Sequence, residues 1–294
     1  MNTLLQPFAE NIWLAVSLAF VFSLLVGSFL NVVIHRLPIM MEREWQLMAA
    51  EAANPDNPEI PDELQQRYNL AVPESSCPKC QHKIQWYENI PLLSYALLKG
   101  RCAGCATPIS IRYPLIELFT ALLSALVVYL YGFNVVALSA VFFTWCLISL
   151  TAIDIDHQLL PDKITLPLVW LGLIVNSFGL FTDLSSAIWG AVFGYLSLWS
   201  IYWLFKLLTG KEGMGYGDFK LLAALGAWCG ASMLPLIILG SSLIGAVIGG
   251  LLIATRKHES QNPIPFGPYL AGAGWVALLW GQELIDWYMK LLGV

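Results

Sequence analysis

The sequence predicts an all-α polytopic membrane protein of about eight transmembrane helices, with one large polar loop that contains four cysteines. Of its 294 residues, 57% are hydrophobic and only 12% are charged, whereas soluble domains carry about 25% charged residues. Long apolar runs recur along the chain, with twelve tryptophans, as expected of membrane-spanning helices. Four of the six cysteines fall together in the longest polar stretch.

Eight apolar segments account for the predicted transmembrane helices. They fall roughly at residues 11–34, 115–131, 135–153, 164–181, 186–208, 219–231, 233–255 and 266–288. Because a span needs about 20 residues, the sixth segment is short, at about 13 residues. No small-residue cleavage site follows the first run, so we expect that run to be a retained helix and not a signal peptide.

The basic residues predict the orientation of the chain in the membrane. If the N-terminus lies outside, fourteen of the fifteen Lys and Arg residues face the cytoplasm, and Lys290 alone lies outside. This bias predicts both termini outside and the polar loops cytoplasmic. The expected domains are a first transmembrane helix (1–35), a cytoplasmic loop domain (36–114) and a transmembrane core (115–294). A net charge of −5 gives nucleic-acid binding no support.

The four loop cysteines form the pattern C-x2-C-x21-C-x2-C, close to the spacing of zinc sites. The cysteines are Cys77, Cys80, Cys102 and Cys105. Two C-x2-C turns complete a closed tetrahedron of thiolates, which predicts a structural zinc ion without catalytic function. Two disulfides are the main alternative, disfavoured by the reducing cytosol, and a rubredoxin-type iron centre is another. The loop has few apolar residues, so metal ligation would supply its missing stability.

The stretch "LTAIDIDHQLLPD" places three carboxylates at the end of the third apolar segment. Asp154 lies at the cytoplasmic end of that segment, and Asp156 points to a different face if the helix continues. Asp162 follows Pro161, so we expect it to cap the next helix.

A further carboxylate, Asp218, stands in "KEGMGYGDFK", where a glycine-rich turn meets the sixth segment. Gly215 and Gly217 give this turn conformational freedom and let another group approach closely. No Gly-Lys-Ser/Thr follows, so the turn is not a phosphate-binding loop. Taken alone, the residue suits helix capping and catalysis about equally.

Two carboxylates from different helices at one membrane depth can share a single proton. The ionised group can then deprotonate a water molecule, while the protonated group polarises a peptide carbonyl. The pair Asp154 and Asp218 therefore predicts aspartic proteolysis. An alternative class is a proton-coupled transporter with a carboxylate relay, but it predicts acids deep inside the spans. A zinc-loop scaffold without chemistry would leave the glycine-rich turn unexplained.

Four motifs, in order over nearly the whole chain, resemble those of the bacterial type IV prepilin peptidases, which are leader peptidases and N-methyltransferases. They are "GSFLNVVIHRLP", the four cysteines, D-x-D-H-x-L-L-P-D, and G-x-G-D-x-K with Gly215, Gly217, Asp218 and Lys220. The Gly-x-Gly-Asp element also resembles presenilin-type intramembrane aspartyl proteases.

The resemblance implies that Asp154 and Asp218 are the catalytic aspartates of a peptidase core, with Asp156 as the rival for the first. It implies a bacterial inner-membrane enzyme whose substrates are prepilins and pseudopilins of type IV pili or type II secretion. Their basic leader is cut after a glycine at the cytoplasmic face, and the new N-terminal residue, usually Phe, is methylated with S-adenosylmethionine. Gly27 and Asn31 are candidates for the methyl-donor site, with helix packing through small residues as the alternative. Arg36 reads most simply as a positive-inside anchor.

Overall fold

The computed structural model describes residues 11–55, 60–254 and 265–292. Within these ranges the regular structure is helical, without a β-strand, in agreement with the predicted fold class. The α-helices of these ranges, in chain order, are α1 (Ile12–Ala53), α2 (Asp62–Gln65), α3 (Leu93–Leu97), α4 (Arg112–Tyr131), α5 (Val135–His157), α6 (Asp162–Ser177), α7 (Leu184–Thr209), α8 (Tyr216–Cys229), α9 (Leu234–Ala254) and α10 (Gly267–Leu292).

Each of the eight longer helices overlaps one of the eight apolar segments of the sequence, but α1 continues to Ala53, well beyond the expected end at residue 34 and into the expected loop. In the described ranges, five helical stretches are long and apolar enough to cross a membrane by length and composition: Ile12–Ala53, Arg112–Tyr131, Val135–His157, Leu184–Thr209 and Ala231–Leu251. The short sixth segment is α8, and 11 of its 14 residues are buried. A helix buried over most of its surface belongs in the interior, and other helices surround α8.

The chain divides into two compact units, residues 1–141 and 142–294. In the first unit, α1 packs against α4. Gly27 allows this packing, because a Cβ atom there would lie 2.7 Å from the Cα atom of Glu117. The domain limits expected at residues 35 and 114 separate predicted membrane-spanning segments from the predicted cytoplasmic loop, and they stay a prediction.

Arg36 anchors the segment that follows α1. Its guanidinium is buried and donates hydrogen bonds to the carbonyl oxygens of Asn69 (3.0 Å), Leu70 (3.4 Å) and Pro73 (2.7 Å). Arg36 therefore does more than the expected interfacial positive charge would. Its guanidinium is hydrogen-bonded inside the protein to backbone carbonyl oxygens of a segment distant in the chain.

In the second unit, α8 is packed between α6 and α7 and also contacts α10. The α7–α8 contact is backbone against backbone at Gly190 and Gly226, because a Cβ at either position would collide with the other residue's carbonyl group. Trp228 fills the core, stacks near Phe143 with 4.7 Å between ring centroids, and donates its indole N–H to the Leu168 carbonyl at 2.9 Å. These contacts fix the position of the helix that begins with the glycine-rich turn.

Candidate active site and metal centre

Asp154 lies in the last turn of α5 and is only 5% exposed. Its Oδ2 accepts a hydrogen bond of 3.0 Å from the backbone N–H of Gly267, the first residue of α10. A Cβ atom at position 267 would lie 2.6 Å from that same oxygen. Glycine is therefore required at the start of α10 for the helix to approach the carboxylate this closely.

Asp218 lies in the first turn of α8 and is 8% exposed. The N-cap of this helix is Gly215, so Asp218 is the third helical residue and not the cap. Its carboxyl interacts with the Gly215 backbone, in the manner of an acid that reaches back to the start of its own helix. A carboxylate in the first turn is also favoured by the helix dipole.

The structure brings Asp154 and Asp218 together inside the second unit. Their carboxyl groups lie within range of a direct electrostatic interaction. Leu160 lies between the two backbone segments that carry the site: its side chain contacts both Gly217, next to Asp218, and Gly267, next to Asp154. Asp156, the rival acid, is exposed on another face of α5. Two carboxylates of this kind can share a proton and activate water between them.

The expectation that Asp162 caps a helix is wrong. Pro161 occupies the N-cap position of α6, and Asp162 is the first helical residue. Both of its carboxylate oxygens accept hydrogen bonds from Nζ of Lys220, at 2.7 and 2.8 Å. This ion pair joins the start of α6 to the first turns of α8. It therefore gives Lys220 of the G-x-G-D-x-K motif a structural partner beside the aspartate pair.

The geometry of the four cysteine sulfurs fits a tetrahedral metal ion. All four Sγ atoms lie within 4.8 Å of one another, with 3.8 Å between Cys77 and Cys105 and 3.9 Å between Cys80 and Cys102. Zinc–sulfur bonds of about 2.3 Å place tetrahedral sulfurs about 3.8 Å apart. All six cysteines are free, and a closed four-thiolate set suits zinc or iron better than a hard cation.

The two C-x2-C turns are built alike. In each, the first cysteine's N–H bonds to a carbonyl five residues on, at His82 and Thr107. Each turn also has a left-handed residue four positions after its first cysteine, Gln81 (φ 58°) and Ala106 (φ 56°). Isolated antiparallel bridges, Ser76 with Lys83 and Arg101 with Pro108, close the turns. Two matching knuckles thus present their thiols to one point.

Hydrogen bonds shift the pKa values of the cysteine thiols in opposite directions. The pKa of Cys80 is raised to about 12, because the hydrogen bond from the His82 backbone is outweighed by contacts with the other thiols and by burial. The pKa values of Cys77 and Cys105 are lowered. Backbone N–H groups of Cys80 and Lys79 lower the pKa of Cys77. The hydroxyl and backbone N–H of Thr107 lower the pKa of Cys105 to about 6. Thiolates are the form that binds metal, so these two positions are prepared for ligation.

The candidate methyl-donor residues have structural partners in the first unit. Gly27 lies against Glu117, as described above. Asn31 is buried and donates a 3.1 Å hydrogen bond from Nδ2 to the carbonyl of Tyr113. Both contacts fit the helix-packing alternative, and the methyl-donor role of the two residues stays a prediction.

Sequence reasoning missed two residues of these sites. Gly267 had a signal in "PFGPYLAGAG", where a glycine follows a helix-breaking proline, but nothing linked it to Asp154. Glu117 is 8% exposed in α4. Its signal was a single acid inside an apolar run, which is costly and therefore functional more often than not in a membrane helix.

An apolar cleft of about 370 Å³ lies in the second unit. Its walls come from α7, α9, the start of α10 and the glycine-rich turn. Met214 in the wall precedes Asp218 by four residues, and Phe266 precedes Gly267, the hydrogen-bond donor to Asp154.

Fold and site define the class of the protein: a polytopic helical membrane protein with a buried aspartate pair and a four-cysteine centre. Residues 21–131 match the bacterial peptidase A24 N-terminal domain, and residues 141–250 match the type IV leader peptidase family. The chain therefore belongs to the type IV leader peptidase family. The family expected from the motifs is confirmed, and the transporter alternative gains no support.

Curated relatives span the whole chain. A protein of Aeromonas salmonicida is 57% identical over 291 residues, covering 99% of both chains. Proteins of Pseudomonas aeruginosa and Stutzerimonas stutzeri are 58% and 57% identical, over 92% and 96% of each chain. All three relatives are named prepilin leader peptidase/N-methyltransferase. No solved structure matches the chain significantly.

Proposed function

We propose that this protein cleaves the leader peptide from type IV prepilins and pseudopilins with Asp154 and Asp218 as its catalytic pair, and then N-methylates the new N-terminus. The names of its full-length relatives support the reaction. The observation that carries the residue assignment is the burial of two interacting carboxylates that come from different helices, α5 and α8.

The reaction follows from how the two carboxylates are held. The Gly267 N–H holds Oδ2 of Asp154, which leaves Oδ1 for a water molecule. With one shared proton, the ionised carboxylate takes a proton from that water, and the protonated one donates a hydrogen bond to the scissile carbonyl. The water oxygen attacks the carbonyl carbon, and the protonated group later gives its proton to the leaving amine. Burial keeps these hydrogen bonds strong.

The substrate and the membrane explain the position of the site. The protein lies in the bacterial inner membrane with the aspartates near the cytoplasmic face, because a basic leader does not cross the membrane readily. The apolar cleft beside Met214 and Phe266 suits the apolar segment that follows the cut site. Apolar contact there would hold the peptide while water reaches the scissile bond from the cytoplasmic side.

The two remaining groups have separate roles. Zinc held by the four cysteines stabilises the loop, since a closed tetrathiolate has no open position for chemistry. S-adenosylmethionine supplies the methyl group when it is bound. No G-x-G-x-x-G turn is present in the sequence, so a Rossmann-type site for it is not expected.

Purified protein in detergent tests the aspartate assignment with a prepilin substrate. Asp154→Asn and Asp218→Asn should each lower the cleavage rate by about 10²–10⁴-fold, the contribution expected of a general acid or base. Asp156→Asn is the matched control on the same helix, and it should cleave like the unmodified protein. Normal cleavage by both Asp154→Asn and Asp218→Asn would refute the catalytic pair. Loss of cleavage in Asp156→Asn alone would show that Asp156, and not Asp154, is the first catalytic aspartate.

A further inference from the structure

Glu117 is a buried carboxylate that leader cleavage does not use. It lies one turn into α4, within an apolar segment, and is 8% exposed. Its carboxylate accepts a hydrogen bond of 2.9 Å from the backbone N–H of Leu92, and the side chain of Ser28 lies against it. Both of these partners, the Leu92 backbone and the Ser28 side chain, are uncharged. A buried carboxylate without a cation is costly, and either a proton or a cationic group offsets that cost.

A polar path connects this carboxylate to the surface. Asn89 is exposed, and its Oδ1 accepts a 3.5 Å hydrogen bond from the half-buried hydroxyl of Ser28. Ser28 in turn contacts Glu117. The buried acid is therefore separated from the surface by two neutral polar side chains, which is the route on which a small cationic group would meet the carboxylate.

The segment around this path is held in an unusual backbone conformation. Leu92, whose N–H binds Glu117, has φ 58°, which side chains other than glycine rarely adopt. Gly27, adjacent to Ser28, brings α1 against the backbone of Glu117. Strained residues tend to gather at functional sites, and here the strain points the Leu92 N–H at the carboxylate.

We infer that Glu117 is the group that binds the new N-terminal amine of the cleaved substrate and accepts its proton before methyl transfer. This inference rests on the proposed methyltransferase activity. The α-amino group has an ordinary pKa of about 8, so at neutral pH it is mostly a cation without a free lone pair. The carboxylate attracts that ammonium group and removes one proton.

The step balances in atoms and electrons. One proton moves from the ammonium nitrogen to the Glu117 carboxylate, which becomes a carboxylic acid. The freed lone pair of nitrogen forms the new N–C bond to the methyl group. The C–S bond of the sulfonium donor breaks, and its electron pair stays on sulfur, giving a neutral thioether. The product is a methylated ammonium group, and the carboxylic acid then loses its proton to solvent.

The test is Glu117→Gln in the full-length enzyme. The amide oxygen of Gln still accepts from the Leu92 N–H, so a purely structural anchor is kept while the proton acceptor is lost. We expect methylation of a pre-cleaved pilin to fall about 10²–10⁴-fold, with leader cleavage and S-adenosylmethionine affinity unchanged. Residual methylation should rise more steeply with pH than in the unmodified protein, because only alkaline solution supplies the free amine.

Ser124→Ala is the matched control, since Ser124 is a buried polar residue two turns further along α4; it should leave methylation unchanged. Normal methylation by Glu117→Gln overturns the inference. So does a loss of S-adenosylmethionine affinity, which would assign the carboxylate to the donor and not to the amine. If the unmodified protein cleaves but never methylates, the proposed methyltransferase activity itself fails, and the two failures are thereby distinguished.

Discussion

The cysteine loop and helix α8 represent opposite ways of stabilising a segment. Of the described residues between 60 and 111, only Cys77, Pro91 and Gly100 are buried, whereas 11 of the 14 residues of α8 are. The loop buries too few residues to be stabilised by packing, so it depends on the few strong bonds between its cysteine sulfurs and one metal ion. The helix depends on many weak contacts that are lost if its backbone moves. The difference teaches that each is sensitive to a different kind of damage.

Loss of the metal should have the largest effect on stability, and the damage should be confined to the cysteine loop. Structural zinc supplies about 10–16 kcal/mol of folding free energy to small metal domains. In Cys77→Ser/Cys80→Ser we expect bound zinc to fall to near zero and trypsin to cut rapidly at Lys79 and Lys83. Elemental analysis and limited proteolysis measure both.

A matched control for that experiment is Cys146→Ser, which changes a half-buried cysteine outside the cluster. It should retain zinc and resist trypsin within the loop. Unchanged zinc content in the double variant would refute the metal site. If trypsin cut the second unit of the double variant as rapidly as the loop, the stability of α8 would depend on the loop.

An added methyl group at Gly226 should damage the core next. In Gly226→Ala the new Cβ would meet the Gly190 carbonyl, so α7 and α8 must separate. Overpacking of this kind costs about 1–3 kcal/mol, and the midpoint of thermal unfolding in detergent should fall. Zinc content should not change.

Gly272→Ala is the control for this substitution, because a Cβ at position 272 meets no atom within 4 Å. Alanine is also the better helix former by about 1 kcal/mol. Its unfolding midpoint should therefore stay level or rise. A midpoint for Gly226→Ala equal to that of the unmodified protein would contradict the close α7–α8 approach.

The smallest effect is expected at the ion pair of Asp162 and Lys220. The two side chains are 51% and 27% exposed, so solvent screens them, and such pairs contribute about 0.2–1 kcal/mol. Asp162→Asn and Lys220→Met should each lower cleavage only a few-fold. A double-mutant cycle on the unfolding midpoint should give a coupling within that range, and a coupling of several kcal/mol would mean that the pair is shielded from solvent.

Sequence reasoning reached the features whose signal is local. Composition predicted the membrane helices, and cysteine spacing predicted a four-sulfur cluster that the structure assembles. It failed where the outcome depends on residues distant in the chain. Asp162 looked like a cap because Pro161 precedes it, but Lys220, 58 residues later, satisfies it. Glu117 belongs to no motif. Its contacts with Leu92 and Ser28 indicate a site, and these residues come near it only in the folded chain.

The length of α1 has a mechanical consequence. Its 42 residues extend about 63 Å at 1.5 Å per residue, roughly twice the 30 Å thickness of the hydrocarbon core. About half of this helix would therefore extend beyond the hydrocarbon core, and Pro38 lies inside it, where it removes one backbone hydrogen bond. Arg36 and Arg43 grip the backbone of residues 66–73 along its side. The chain that leads into the cysteine loop is therefore attached along the side of α1 by these arginines, and is not joined to the helix through its backbone alone.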